Sequence, residues 1–157
     1  MNVFVEMPVP LKDAHHQAIE QVNAWRGRCV NLFARGENII GKALLAQPDP
    51  KSMPMLLSQR NKRLTAIVDG DTKKTAALEA FQLIASRRNA IVHGNGKVYV
   101  APCGHWLLRL EMIDRSGVVT EHFTKAEADA HAKELKKAID DVWSAFQGQS
   151  ANDGSSR

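Results

Sequence analysis

The chain has 157 residues, 44% hydrophobic and 24% charged, the balance of an ordinary globular domain with enough core to need no staple. No apolar run approaches the roughly 20 residues that cross a bilayer, and the opening Met1–Pro8 stretch has no basic start, long apolar run or small-residue cleavage site, so a secretory signal is not expected and the cytoplasm is the expected location. The net charge of +4 is uneven: residues 51–88 hold eight basic against three acidic side chains, 1–50 hold five of each, and 89–157 hold eight against nine.

Residues 1–10 read as extended, with Pro8 and Pro10 opposing an early helix. A long helix follows over 13–47, with Asp13 as cap or first-turn acid. Its stripe, Ala18, Val22, Trp25, Cys29, Phe33, Ile40 and Leu44, keeps helical spacing. Gly27, Gly36 and Gly41 weaken it by about 1 kcal/mol each relative to alanine, enough to allow a kink or break. Gly36 lies on the stripe, where a missing side chain admits a second helix. After the Gln47–Ser52 loop, Ser52 and Pro54 mark a helix over 54–68. Asp69-Gly-Asp-Thr ends it, and a third helix is expected over 73–93, with Leu78, Phe81, Ile84 and Ile91 inward. Gly94-Asn95-Gly96 is its stop, read as a left-handed cap.

The period then changes. Residues 97–101, 105–113 and 118–123 alternate or are rich in β-branched and aromatic residues, and Pro102-Cys-Gly and Asp114-Arg-Ser-Gly punctuate them. This predicts a small antiparallel meander. Thr124-Lys-Ala-Glu127 is a capping box opening a last helix to Phe146, with Ala128, Leu135, Ile139, Val142 and Phe146 inward. The expected architecture is therefore mainly α: a helical bundle of four or more helices with a small antiparallel β insert before the C-terminal helix. It forms a single domain over 1–147, with a polar disordered tail over 148–157. Cys29 and Cys103 fall in different elements and are expected to stay reduced.

The stretch richest in chemistry is Ser86-Arg87-Arg88-Asn89-Ala90-Ile91-Val92-His93-Gly94. Asn89 and His93 are four apart and share a helix face. Arg88, five before His93, is turned from it by about 140° on an ideal helix and lies near the Phe81–Ile84 stripe. The bland alternative is structural: Arg and His in a last turn complement the helix dipole, and glycine is an ordinary stop. Spacing alone favours that alternative. The basic segment leading up to Arg88 suits a polyanion such as RNA, and equally describes a solvated helical face.

Arg88-Asn89-Ala90-Ile91-Val92-His93 resembles the signature of the HEPN superfamily (higher eukaryotes and prokaryotes nucleotide-binding domains). There an arginine is followed, after four to six residues, by a histidine late in a core helix, and the residue right after the arginine is usually polar, often asparagine. The architectural resemblance covers residues 11–146 and the motif only 88–93; the strand insert is foreign to the minimal HEPN bundle. The resemblance implies metal-independent RNA cleavage, with attack of a 2′-hydroxyl on the neighbouring phosphate. Arg88, Asn89 and His93 would be the catalytic residues and Arg87 a second phosphate contact. It also implies a homodimer with motifs facing one another, because one histidine cannot be base and acid in a single step.

That places the chain as a toxin, phage-defence effector or stress ribonuclease, with a separate antitoxin or nucleotidyltransferase as possible partner and no cofactor or metal. The alternatives are a non-catalytic HEPN module binding nucleotide, RNA or a protein, and a scaffolding helical dimer. Cys103-Gly-His105 lacks a second ligand pair and reads as a turn. His15 and His16 read as solvated, and His122 and His131 as structural. Trp25, Trp106 and Trp143 read as core or interface. No glycine-rich phosphate loop is present.

Overall fold

The computed structural model describes residues 11–48 and 52–147; the extended N-terminus, the centre of the 47–52 loop and the expected tail lie outside them. The described chain is mainly helical, with a three-stranded antiparallel sheet ahead of the C-terminal helix. The elements are α1 (Leu11–Leu45), α2 (Leu57–Ile67), α3 (Thr72–Ala85), α4 (Arg88–His93), β1 (Asn95–Val100), β2 (Trp106–Asp114), β3 (Gly117–Thr124) and α5 (Lys125–Phe146). The described residues fall into two compact units, one built from residues 11–28 with Asn89–Ala132, the other from the described residues of Cys29–Arg88 with residues 133–147.

The first unit holds the sheet. β2 is central, paired with β1 through Val98↔Leu108 and with β3 through Leu108↔Phe123. Trp106, Leu108 and Leu110 alternate inward with Phe123, the two-residue period of a sheet with one covered face. From α1, Ala18, Val22 and Trp25 are buried in the same unit. The Trp25 ring tilts against Phe123 at 4.8 Å, His131 meets both rings edge-on, and the indole nitrogen donates to the Ala128 carbonyl at 2.7 Å. His131 is thus a member of an aromatic cluster, 7% exposed. Trp106 is also core, its indole donating to Gln21 Oε1. The capping box is formed in both directions: Thr124 N–H donates to Glu127 Oε2 at 2.8 Å, and Glu127 N–H to Thr124 Oγ1 at 3.2 Å.

The second unit is made of helices. Cys29, Phe33, Ile40 and Leu44 of α1, Leu64 of α2, Leu78 and Phe81 of α3, and Leu135, Ile139 and Val142 of α5 are among its buried side chains. Gly36 makes the close approach expected of it: a Cβ there would sit 2.5 Å from Phe81 Cζ. Gly27 and Gly41 face open space, and α1 runs through all three glycines as one helix without a break. Polar links within this unit include Arg35 to Asp140 at 3.4 Å, Asn61 Nδ2 to the Leu78 carbonyl at 3.3 Å, and the Lys74 ammonium over the Phe146 ring. Trp143 is 41% exposed on α5, so it is not a core residue.

Three local expectations are corrected. The second helix starts at Leu57 rather than Pro54, because Arg60 Nε and Arg63 Nη1 donate to the Pro54 and Ser52 carbonyls and hold that lead-in outside the helix. The helix expected over 73–93 is two, α3 and α4. Asp71 caps α3 by accepting from Lys74 N–H, and at its other end Ser86 Oγ donates to the Leu83 carbonyl while Arg87 N–H reaches back only three residues to Ile84. That tighter turn ends the α-helical ladder before α4 begins. Finally, Gly94 is not a left-handed cap: among the described residues only Gly70, Gly104 and Gly117 have positive φ. Its missing Cβ would instead collide with the Ala90 carbonyl and lie 3.2 Å from Leu110 Cβ.

These glycines give a paired test. Gly36→Ala is expected to lower stability by about 1–3 kcal/mol, the cost of overpacking against a fixed ring. Gly41→Ala is expected to raise it by up to about 1 kcal/mol through helix propensity. Urea denaturation of both variants checks this; a Gly36→Ala protein at least as stable as wild type would contradict the close α1–α3 approach.

Candidate functional site

Helix α4 has six residues, too few to be stable alone, since an isolated helix of fewer than about 12 residues is marginal in water. Its inward face is Ala90 and Ile91, both buried. Its end is held from α1. Arg26 Nε donates to the Ile91 carbonyl at 2.8 Å, and Nη2 donates to the Gly94 carbonyl at 3.0 Å and more weakly to Val92 at 3.4 Å. These are carbonyls that a terminating helix leaves without partners. Burial lowers the pKa of Arg26 from its ordinary value, a small matter for a group that stays charged throughout the physiological range.

With Ile91 inward and the end clamped, Asn89 and His93 are turned outward: both are exposed and both line one cavity of about 790 Å³. The shared face expected from their spacing is the one that opens on this space. The rest of the wall comes from β1 and the β2–β3 hairpin, including Glu111, Asp114, Ile113 and Val118. Glu111 is ion-paired with Arg109. Asp114 accepts from the backbone N–H and hydroxyl of Ser116, contacts that hold its carboxyl below the usual carboxylate range. The cavity therefore combines an imidazole, amides, two carboxylates and an aliphatic edge. Among the described residues, no group of three or more His, Cys, Asp or Glu is placed to hold a metal ion.

Arg88 belongs to the helical unit. Its Nε lies 2.7 Å from Glu37 Oε1, an ion pair bent away from hydrogen-bond geometry, with both side chains about three-quarters buried at 29% and 25% exposure. The sequence placed Arg88 beside the Phe81–Ile84 stripe; the break after Ala85 removes that argument, and Glu37 is what receives it. Arg87 is half-buried in the turn before α4. Of the weaker candidates, His16 pairs with Glu20 at 3.4 Å on the exposed face of α1, and Cys103 and His105 lie in an exposed turn closed by Ala101 N–H to the His105 carbonyl. Cys29 is buried, and neither cysteine is bridged.

Arg26, Glu37, Glu111 and Asp114 were missed by sequence reasoning. The only signal for Arg26 was its place next to Trp25, at the edge of a buried stripe. Asp114 was visible as part of a turn, but not as part of a cavity wall. No family model matches this chain, and no curated protein or solved structure does either.

The clamp can be tested directly. Hydrogen bonds from a charged donor contribute about 1.5–3 kcal/mol each, so Arg26→Met is expected to cost about 2 kcal/mol or more in chemical denaturation. Arg26→Lys, which keeps the charge but loses the fork, should fall between it and wild type. An unchanged midpoint for Arg26→Met would contradict the clamp.

Proposed function

We propose that this protein is a metal-independent endoribonuclease of the HEPN kind, acting in the cytoplasm as a toxin or defence effector. The observation that carries the reading is the pairing of Asn89 and His93 on one exposed face of α4, opening into a single cavity. The resemblance of the Arg88–His93 hexamer supports it. In this reaction the 2′-oxygen forms a bond to phosphorus and the bond to the 5′-oxygen breaks. The 2′-hydroxyl proton goes to a base, and the departing 5′-oxygen takes one from an acid. Histidine serves in either role near neutrality. Asn89 orients the ring or the phosphate, and Arg88, its neighbour in α4, supplies positive charge, with Arg87 as a further phosphate contact. Base and acid together need two histidines, which a homodimer with facing motifs provides. A separate antitoxin or nucleotidyltransferase chain would keep such an activity in check.

A second reading, a non-catalytic module binding nucleotide, RNA or a protein, is favoured by one feature. Glu111 and Asp114 line the same cavity, and Arg88 already has Glu37 as counter-ion. Negative charge there opposes a bare phosphate.

Incubation of purified protein with mixed RNA in chelator separates the two. Cleavage is expected to persist without metal and to spare DNA and RNA methylated at the 2′-oxygen. His93→Ala should lose about 10²–10⁴-fold in rate, and Arg88→Lys should also be impaired. Because His93 is exposed, its loss should leave the melting temperature unchanged. Parallel loss of activity and stability would make the residue structural; wild-type RNA binding without cleavage would favour the second reading. Sedimentation at micromolar concentration is expected to give a dimer, and a monomer would count against the composite site.

A further inference from the structure

The β2–β3 hairpin supplies a chemistry that phosphate cleavage does not use. Ile113 and Val118 are cross-strand partners at its tip, 84% and 69% exposed, and both line the cavity that Asn89 and His93 face. Directly opposed residues project from the same side of a sheet, so the two form one aliphatic ledge. Glu111, two residues before Ile113, projects to that side as well. Asp114, the residue after Ile113, alternates to the opposite side and closes the turn through Ser116.

Ionised carboxylates only accept hydrogen bonds, with about four acceptor sites each. Arg109 takes one oxygen of Glu111, so acceptor capacity remains on that carboxylate. A ligand suited to this wall offers a flat apolar face to the ledge and adjacent donors to the Glu111 carboxylate. Extruded nucleobases are held in this way, stacked on apolar side chains and read along the Watson–Crick edge. Of the four RNA bases only guanine places two donors side by side there, its ring N1–H and its exocyclic amino group. Adenine and cytosine set a ring acceptor beside their amino group, and uracil flanks its single N–H with two carbonyls.

We infer that this cavity holds an unpaired guanine base, stacked on Ile113 and Val118 with its Watson–Crick edge against the Glu111 carboxylate. The inference deepens the ribonuclease reading by naming its substrate class, single-stranded RNA containing guanine. It also gives Glu111 a purpose, since a carboxylate opposes a phosphate but suits the donor edge of this base. Asn89 and His93 then lie against the same nucleotide.

The experiment is calorimetric titration of the full chain with GMP, IMP, AMP and UMP, and with spermidine as a non-nucleotide cation. GMP is expected to bind at least about tenfold more tightly than AMP or UMP, one well-made polar contact or more. IMP, which lacks only the amino group, should fall between. Glu111→Gln replaces one acceptor oxygen by a donor; at unchanged melting temperature it should erase most of the preference. Ile113→Ser should weaken all four nucleotides together. Equal affinities, no nucleotide binding at millimolar concentration, a preference that survives Glu111→Gln, or spermidine binding more tightly than GMP would each overturn the inference. Cleavage assays keep the two proposals apart. RNA cut without regard to guanine removes the base pocket and leaves the ribonuclease; guanine-selective binding without any cut does the reverse.

Discussion

The reach of Arg26 from α1 to the end of α4 is the interaction on which the site's geometry depends. A six-residue helix cannot hold itself, and its last carbonyls need donors. The guanidinium fork supplies them at Ile91, Val92 and Gly94, while Gly94, without a side chain, lets the chain pass between the Ala90 carbonyl and Leu110 straight into β1. With Ala90 and Ile91 buried and the end fixed, the helix has one rotation, and it turns Asn89 and His93 to the cavity. The edge of the sheet then meets the same space from the hairpin. A residue distant from His93 in sequence thereby sets where its imidazole stands.

The regular parts of this architecture were readable in the sequence because they follow from period. The stripe from Ala18 to Leu44 repeats at helical spacing, and each of its members is buried. The capping box at Thr124 and Glu127 is a local code in which both partners lie within one turn. The meander was legible from alternation and turn residues. What was not legible depended on distance or on fine backbone geometry. The break at Ser86-Arg87 contains no glycine or proline; it comes from hydrogen bonds reaching back three residues instead of four. Gly94 carried the right signal for the wrong reason, since a helix stop by left-handed glycine and one by close packing look alike in sequence. Arg26 to Ile91 spans 65 residues and Glu37 to Arg88 spans 51, pairings that no local pattern announces.

The strand insert changes how the candidate site reads. The resemblance carried by the hexamer at 88–93 implies phosphate chemistry. In the structure its outward face shares a cavity with carboxylates and aliphatic side chains from β2 and β3. Arg88 carries its own counter-ion, Glu37, so any anion drawn to it competes with a partly buried ion pair. Such pairs are costly to separate when one partner is left behind, and a substrate phosphate that takes over the guanidinium must release Glu37 to water. On the proposed reading, cleavage chemistry and base recognition would make opposite electrostatic demands, and different elements would meet them: α4 for the one, the hairpin for the other.

The central claim is that the Asn89–His93 face cuts RNA through its own 2′-hydroxyl. The most direct measurement is the chemistry of the ends made by wild-type protein in chelator. The account requires a 2′,3′-cyclic phosphate on one fragment and a 5′-hydroxyl on the other, with neither formed by His93→Ala. Fragments bearing 5′-phosphates, or intact RNA after prolonged incubation with the purified protein, would contradict it.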